Sequence, residues 1–371
     1  MSLTLTFHRD YNHTELLAQL VVERQAVTID TLETEVNYGY KQLKFSARLS
    51  NDAKDYWLDR YGPMWMCDVR LTEGASIIFE GQLAEITEVA EGVECAAVGY
   101  WNAFYDDVIS EDRNIGAWGL SGYGQTVQGM FLYLLNSRLW RLSEGNIPGP
   151  SSPLDTAAMT EPAKFGDYVR QALDLSVENK SIIYHWYFYV WENRKVYTAE
   201  FNPASPKWRI RRKPGTNVER RLTLDGYATT SYVDYDSGSP RTITGEYSDL
   251  TEVRRLGYQR VNYRREADLT DGNVAEILAK KELQTRNSPV RLGNVTVKGD
   301  MEDIVGLSWP GYMVRAGETV RVLDWVSPGA SQRDFGIYQT TYSFKDKTLV
   351  LNLNDAPARL ALSKGGVVYS T

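Results

Sequence analysis

The stretch WPGYMVRAGETVRVLDWV, Trp309 to Val326, decides how this chain is read. It opens on a Pro-Gly corner, crosses a short strand to an Ala-Gly-Glu turn, and enters a second strand that alternates residue by residue. Val320, Val322 and Val326 share one face, and Thr319, Arg321, Leu323 and Trp325 share the other. Both faces carry sizeable apolar groups, and neither offers an obvious catalytic residue. Such a strand is either the floor of an active site or one stave of a barrel that touches other chains.

The neighbouring sequence has the same texture. VRLGNVTVKGD (290–300), FGIYQTTYSF (335–344) and TLVLNLND (348–355) are further strands, the last two joined at Lys345-Asp346-Lys347. A helix is expected from Asn273, with Glu276 at capping-box spacing, to about Arg286. YATTSYVDYD and LGYQRVNYRREAD flank a turn region rich in Gly, Ser and Pro. At the other end of the chain, MWMCDVRLTE (64–73), SIIFEGQLAEIT (76–87) and VECAAVGYW (93–101) form a meander with Gly turns, and Trp65, Cys67, Val69 and Leu71 are in phase. A short helix over SNDAKDYWLDRYG (50–62) precedes it, with Ala53, Trp57, Leu58 and Tyr61 as its apolar side. A meander with a helix at one end is how a small, partly open barrel is built.

Between these ends lies a different block. GAWGLSGYG (116–124) is a Gly-rich loop and EGNIPGPSSPLD (144–155) a linker. Two helices are expected, one with the stripe Val127, Met130, Phe131, Leu134 and Leu135, the other with Phe165, Tyr168, Val169, Ala172 and Leu173 after a Thr160 cap. SIIYHWYFYVWENRKVYTAEF (181–201) reads as a hairpin turning at Glu192-Asn193. The chain therefore divides into an N-terminal β segment (1–107), an α+β insertion (108–222) and a second β segment with a helix (223–371).

Composition narrows the function. The 371 residues are 43% hydrophobic and 12% aromatic, with 24 Tyr and 10 Trp, residues suited both to strands and to docking surfaces. A net charge of −7, from 48 acidic and 41 basic residues, disfavours tight phosphate binding by the whole surface. The N-terminus lacks a basic segment followed by an apolar run, so no signal peptide is expected, and no apolar run is long enough for a membrane span. Cys67 and Cys95 do not form a disulfide framework.

Catalytic motifs are scarce. His8 and His13 fall in an expected edge strand and loop, and His185 sits among aromatics where an imidazole packs. No Cys or His pairs have zinc spacing, and no phosphate-binding loop is present. GLSGYG misses the Gly-x-Ser-x-Gly spacing, and DYDSGSP (234–240) lacks a carboxylate at the twelfth position of a calcium loop, which is Gly245. No cofactor or metal is expected. Glu80, Glu85, Glu88, Asp106 and Asp107 leave a carboxylate pair open, as a glycosidase uses. KWRIRRK (207–213) is the one dense basic run, an acidic-partner site or a charged strand edge.

The order of parts resembles the hub proteins of bacteriophage tail tips and baseplates, including minor tail proteins of long-tailed phages. WLDRYGPMWMCDVRL (57–71), IIFEGQL (77–83) and AAVGYW (96–101) look like the first hub barrel. AEILAKKEL (275–283), VTVKGD (295–300), PGYMVRAGETVRVLDW (310–325) and FGIYQTTYSF look like the family's closing segment. The resemblance implies a mainly β chain with an α+β insertion: two small hub-type β-barrels plus a lateral α+β module. It implies a homotrimeric ring that adapts a six-fold tail tube to a three-fold tip. Its partners would be further copies of itself, the tail tube or distal tail ring, the tape-measure protein and a tip fibre or spike, and DNA would pass without specific binding. Assembly would occur in the bacterial host cytoplasm and the product would sit in the virion. Some members of that family carry a fused lytic or peptidase domain; here LSKGGVVYST comes soon after the last expected barrel strand, so any cell-wall cleavage is expected in another protein.

Under that reading the interface candidates are Trp65, Phe79 and Trp101 in the first barrel and Trp309, Tyr312, Trp325 and Tyr338 in the second. Trp118, Tyr123, Trp208, Arg209 and Arg211 are candidate surface residues of the lateral module. Two other readings compete: a host-surface carbohydrate-binding module using the exposed aromatics, and a carboxylate-dependent cell-wall hydrolase.

Overall fold

The computed structural model describes residues 2–22, 27–59, 62, 64–106, 108–109, 113–114, 126–137, 139–149, 158–159, 163–175, 186–200, 205–211, 216–223, 226–236, 242–243, 247–266, 272–286, 290–327 and 330–354. The fold is mainly β. Strands β1 (Leu3–His8), β2 (Leu16–Val21), β3 (Val27–Glu35), β4 (Gly39–Arg48), β5 (Asp68–Glu73), β6 (Ser76–Val89) and β7 (Gly92–Gly99) form an antiparallel run, in the order β2-β1-β5-β6-β7-β4-β3. β1 is therefore interior, flanked by β2 and β5, and not the edge strand expected around His8. The strand expected from Met64 begins only at Asp68. Trp65 lies on the turn before it, which breaks the phase assumed for Trp65 and Cys67.

Helix α1 (Asn51–Leu58) starts where Ser50 Oγ accepts from Ala53 N–H at 3.4 Å. It buries Trp57 against Phe7, whose ring centroid is 5.2 Å away. It also buries Lys54, which was not on the expected stripe. The Lys54 ammonium donates to the carbonyls of Val89 and Ala90, each at 3.0 Å, so a buried cation ties the helix to the end of β6 and the turn that follows. The short helix α2 (Ala103–Asp106) leads out of β7.

The central helices α3 (Val127–Ser137) and α4 (Phe165–Leu175) follow their sequence stripes, with Met130, Phe131, Leu134, Phe165, Val169 and Leu173 buried. Thr160 lies outside the described residues. The hairpin of β8 (Trp186–Val190) and β9 (Lys195–Glu200) turns through 192–194 as expected. Where β8 meets β4, Gly39 holds φ +83° and a Cβ there would lie 2.2 Å from the Val190 carbonyl oxygen, so only glycine lets the two backbones close.

Strands β10 (Trp208–Ile210), β11 (Thr216–Thr223), β12 (Thr230–Tyr235), β13 (Val261–Glu266), β14 (Val290–Lys298), β15 (Met301–Asp303), β16 (Ser308–Trp309), β17 (Thr319–Ser327), β18 (Ala330–Ser343) and β19 (Thr348–Asn354) complete the main elements. The strand of the opening motif, β17, pairs antiparallel with β18 and parallel with β10. Helix α5 (Leu250–Leu256) was not anticipated. Its signals were local, an Asp249 cap accepting from Thr251 and Glu252 N–H and a Gly257 end at φ +77°. Helix α6 (Gly272–Arg286) is where the capping-box spacing placed it.

Among the described residues three apolar cores form, and they do not follow chain order. One lies under β1–β7, another under β10, β14 and β17–β19. The central core joins α3, α4 and the β8–β9 hairpin to Val233 of β12 and to Ala275, Leu278 and Ala279 of α6. The long strand β18 bridges the outer two cores, pairing β17 and β19 and also β3. Cys67 and Cys95 are buried and free.

Candidate interaction surfaces

The hairpin β15–β16 carries the most exposed large aliphatic residue of the described chain. Its tip presents Ile304, Val305, Leu307 and Trp309 to solvent, with Val305 77% exposed. The tip is a built object. Asp303 Oδ1 accepts from the N–H groups of Val305 (3.0 Å), Gly306 (2.7 Å) and Leu307 (2.8 Å), while Oδ2 accepts from Trp309 Nε1 at 3.0 Å. The indole and these three amides hold the Asp303 carboxyl below its ordinary 3.8. Ile304 N–H donates to the Lys207 carbonyl at 2.9 Å, which anchors the tip to the segment entering β10. Gly306 sits at φ +101° over the Arg209 guanidinium, where a Cβ would be 2.5 Å from a guanidinium nitrogen. Trp309, picked from sequence, is therefore both exposed and fixed.

A second apolar exposure surrounds α1. Tyr56 and Leu58 flank the buried Trp57, and Trp65 (61% exposed) and Met66 (53%) stand on the following turn. That turn is pinned from beneath by Met64 and Cys67, each 1% exposed, and Met66 occupies φ +55°.

The remaining sequence candidates separate by environment. Phe79, an interface candidate from sequence, is instead a core residue: it is 0% exposed and packs against the Tyr40 ring, because β6 lies between β5 and β7 with this face turned to the core of its own chain. Trp208 is likewise a core residue, at 2% exposure, because parallel pairing with β17 places it beside Val320. Trp101 is half-buried between Tyr38 and Tyr105 and donates to the Lys41 carbonyl at 3.1 Å. Tyr312 stacks on Phe344, and burial together with a hydrogen bond to Glu73 raises its phenol above the ordinary 10. Tyr338 donates to Glu35 Oε1 at 2.9 Å. Arg209 pairs with Glu302 at 3.0 Å, and Arg211 is exposed. The side chain of Trp325, and the whole of Trp118, Tyr123, His185 and Asp107, lie outside the described residues.

Sequence reasoning missed the polar seams beneath these surfaces. Where β3 pairs with β18, Thr34 Oγ1 lies 2.7 Å from its cross-strand partner Thr340 Oγ1 and accepts from Ala316 N–H at 2.9 Å. Arg315 pairs with Glu192 and places its guanidinium 4.9 Å from the Trp191 ring and 5.7 Å from the Tyr40 ring. Inside the first sheet, Arg70 donates to Glu80 and to His13 Nδ1, Tyr100 donates to Asp68 at 2.8 Å, and Arg141 reaches Asp68 at 3.0 Å. His13 Nε2 is 3.2 Å from the Tyr100 oxygen. With the phenol proton committed to Asp68, His13 must donate from Nε2 and accept at Nδ1, which fixes a neutral ring. Burial and the Arg70 charge accordingly push His13 down to about 3. Burial raises the Asp68 carboxyl.

These partners bear on the carboxylates. Glu80 is fully buried and accepts from Arg70 and from Arg194 N–H, so it serves as an acceptor in a packed network, while Glu85, Glu88 and Asp106 stand in solvent. Among the described residues no group of His, Cys, Asp and Glu is arranged to hold a metal ion, and no helix is long and apolar enough to cross a membrane.

No protein-family model matches the chain, and no curated protein sequence matches it. Solved structures do. The 43 kDa tail protein of prophage MuSo2 from Shewanella oneidensis superimposes with a TM-score of 0.63 at 11% identity, over 97% of this chain and 99% of that one. A tail protein from Neisseria meningitidis MC58 gives 0.63 at 11% identity over 96% and 97%. The prophage tail protein gp18 from Listeria monocytogenes EGD-e gives 0.57 at 13% identity over 99% and 100%. End to end, this chain has the fold of prophage tail proteins.

Proposed function

We infer that the protein is a structural component of a phage tail, acting in the baseplate or tail tip as a hub. The observation that carries this reading is the extent of the likeness: the superposition covers nearly all of this chain and of each tail protein, so it takes in both outer β cores and the central core. In this reading three copies form a ring between the six-fold tail tube or distal tail ring and a three-fold tip, fibre or spike. The tape-measure protein is a further partner. The central core forms a lateral module, and the ring lets DNA pass without binding it. The acidic balance of the chain suits such a conduit, since a repelling wall does not retain phosphate. The seams at Thr34–Thr340 and Arg315–Glu192 support a rigid scaffold.

Native mass spectrometry over a range of concentrations tests the ring. A species of three times the 42.1 kDa chain mass is expected. A monomer at every concentration, with and without tube protein as template, overturns it.

A further inference from the structure

We propose that the turn Trp191–Arg194, at the tip of the β8–β9 hairpin, is a strained latch between the segment entering β17 and the β1–β2 connection. Loss of its contact with one of these segments loosens its contact with the other. The coupling belongs to the single chain and is independent of whether copies assemble into a tail.

The turn reaches the two segments through different residues. Glu192 pairs with Arg315, whose guanidinium lies 4.9 Å from the Trp191 ring and donates to the Tyr40 hydroxyl at 3.3 Å. The Arg315 N–H donates to Glu318 at 3.0 Å, and the same Glu318 oxygen accepts from Nε1 of the buried Trp208 at 2.5 Å. That side of the turn is thereby tied to β10 and β17. On the other side, the Arg194 N–H donates to the buried Glu80 at 3.2 Å. The Arg194 guanidinium lies 5.0 Å from the Tyr11 ring and reaches Asn12 Oδ1 at 3.5 Å. The hairpin behind the turn enters the central core through Phe188, Val190 and Val196.

The backbone of the turn is where the two sides meet. Asn193 and Arg194 both hold φ +58°. Asparagine tolerates this region, whereas a long side chain does not, and hairpins with two successive positive φ values favour glycine at the second position. A glycine at 194 would make the bend at lower cost, but it has no guanidinium to set over Tyr11. Such a conformation persists where its surroundings over-determine it, and here contacts at both ends hold it. With either set removed, the other must hold the strained backbone alone, and the turn relaxes away from it. Contacts on an unstrained turn would act independently.

Amide hydrogen exchange in Arg315→Met and Arg194→Met tests the coupling. The His13 and Thr14 amides, which donate to Asp10, report the β1–β2 connection. The Ala316 and Gly317 amides, which donate to Thr34 Oγ1 and the Ile337 carbonyl, report the segment entering β17. Arg315→Met should speed exchange at His13 and Thr14, and Arg194→Met at Ala316 and Gly317, each about tenfold. Coupling between two sites is reciprocal, so loosening confined to the substituted side in either variant, or none at all, would overturn the latch. Arg194→Gly removes the same guanidinium but eases the backbone, so it should loosen Ala316 and Gly317 less than Arg194→Met does. Equal loosening would overturn the strained turn as the cause. Thermal melts check folding, and Glu192→Ala with Tyr11→Leu repeats the test from the partner side if either arginine variant melts early.

Discussion

Two loops in this molecule are built by the same local device and do opposite things with it. In the β1–β2 connection, Asp10 accepts from Thr14 N–H at 2.9 Å, Glu15 N–H at 3.0 Å and the Thr14 hydroxyl at 2.7 Å, and these bonds hold its carboxyl at about 2. In the β15–β16 connection, Asp303 collects three amides and an indole. The first loop sends His13 inward to Arg70 and Tyr100. The second holds Val305 and Leu307 out in water. A carboxylate-nucleated turn dictates backbone shape, not destination. Where the side chains go depends on the surface below: a polar network receives His13, whereas among the described residues Val305 is left 77% exposed.

The largest effect should come from the network under the first loop. Glu80→Ala leaves Arg70 without its buried partner, and a loss of about 3–5 kcal/mol is expected in denaturant unfolding. Phe79→Ala should cost a similar ~3–5 kcal/mol by opening a cavity, whereas Trp65→Ala, exposed, should stay within about 0.5 kcal/mol. Equal costs for Phe79 and Trp65 would contradict the division between a buried Phe79 and an exposed Trp65.

Acid should separate the two loops next. The folded pKa of His13 lies below its ordinary 6.5, so folding favours the neutral ring; its contribution is full above pH 6.5 and is lost as the pH falls toward about 3. Asp303 is depressed below 3.8, so its contribution is lost only below that pH. Stability measured between pH 6.5 and 4 should therefore fall, and His13→Gln should flatten the slope, while amide exchange at 305–307 stays slow. Simultaneous loosening of both loops near pH 5 would contradict this. Asp303→Ala should speed exchange at Val305, Gly306 and Leu307 roughly tenfold or more without shifting global unfolding. The smallest effect is expected from Val305→Ser, within about 0.5 kcal/mol of wild type in the melt of the isolated chain.

By itself the sequence determined the local elements. Period-two alternation marked β5 to β7 and β17 to β19, helical stripes marked α3 and α4, and capping-box spacing marked α6, because these signals are set by neighbours a few residues apart. The capping signals of α5 were equally local and went unread at Asp249 and Gly257. Trp309 could be picked as an aromatic beside a Pro-Gly corner. Only the tertiary structure decided which faces met protein and which met water. Alternation places Phe79 and Trp208 on a face, but that face is core because β6 lies inside a sheet and β10 joins β17 across more than a hundred residues. The network joining His13, Arg70, Glu80, Asp68, Tyr100 and Arg141 draws on segments whose proximity no spacing encodes. The division has one physical cause: backbone geometry is fixed locally, and burial is fixed by the partner a strand finds.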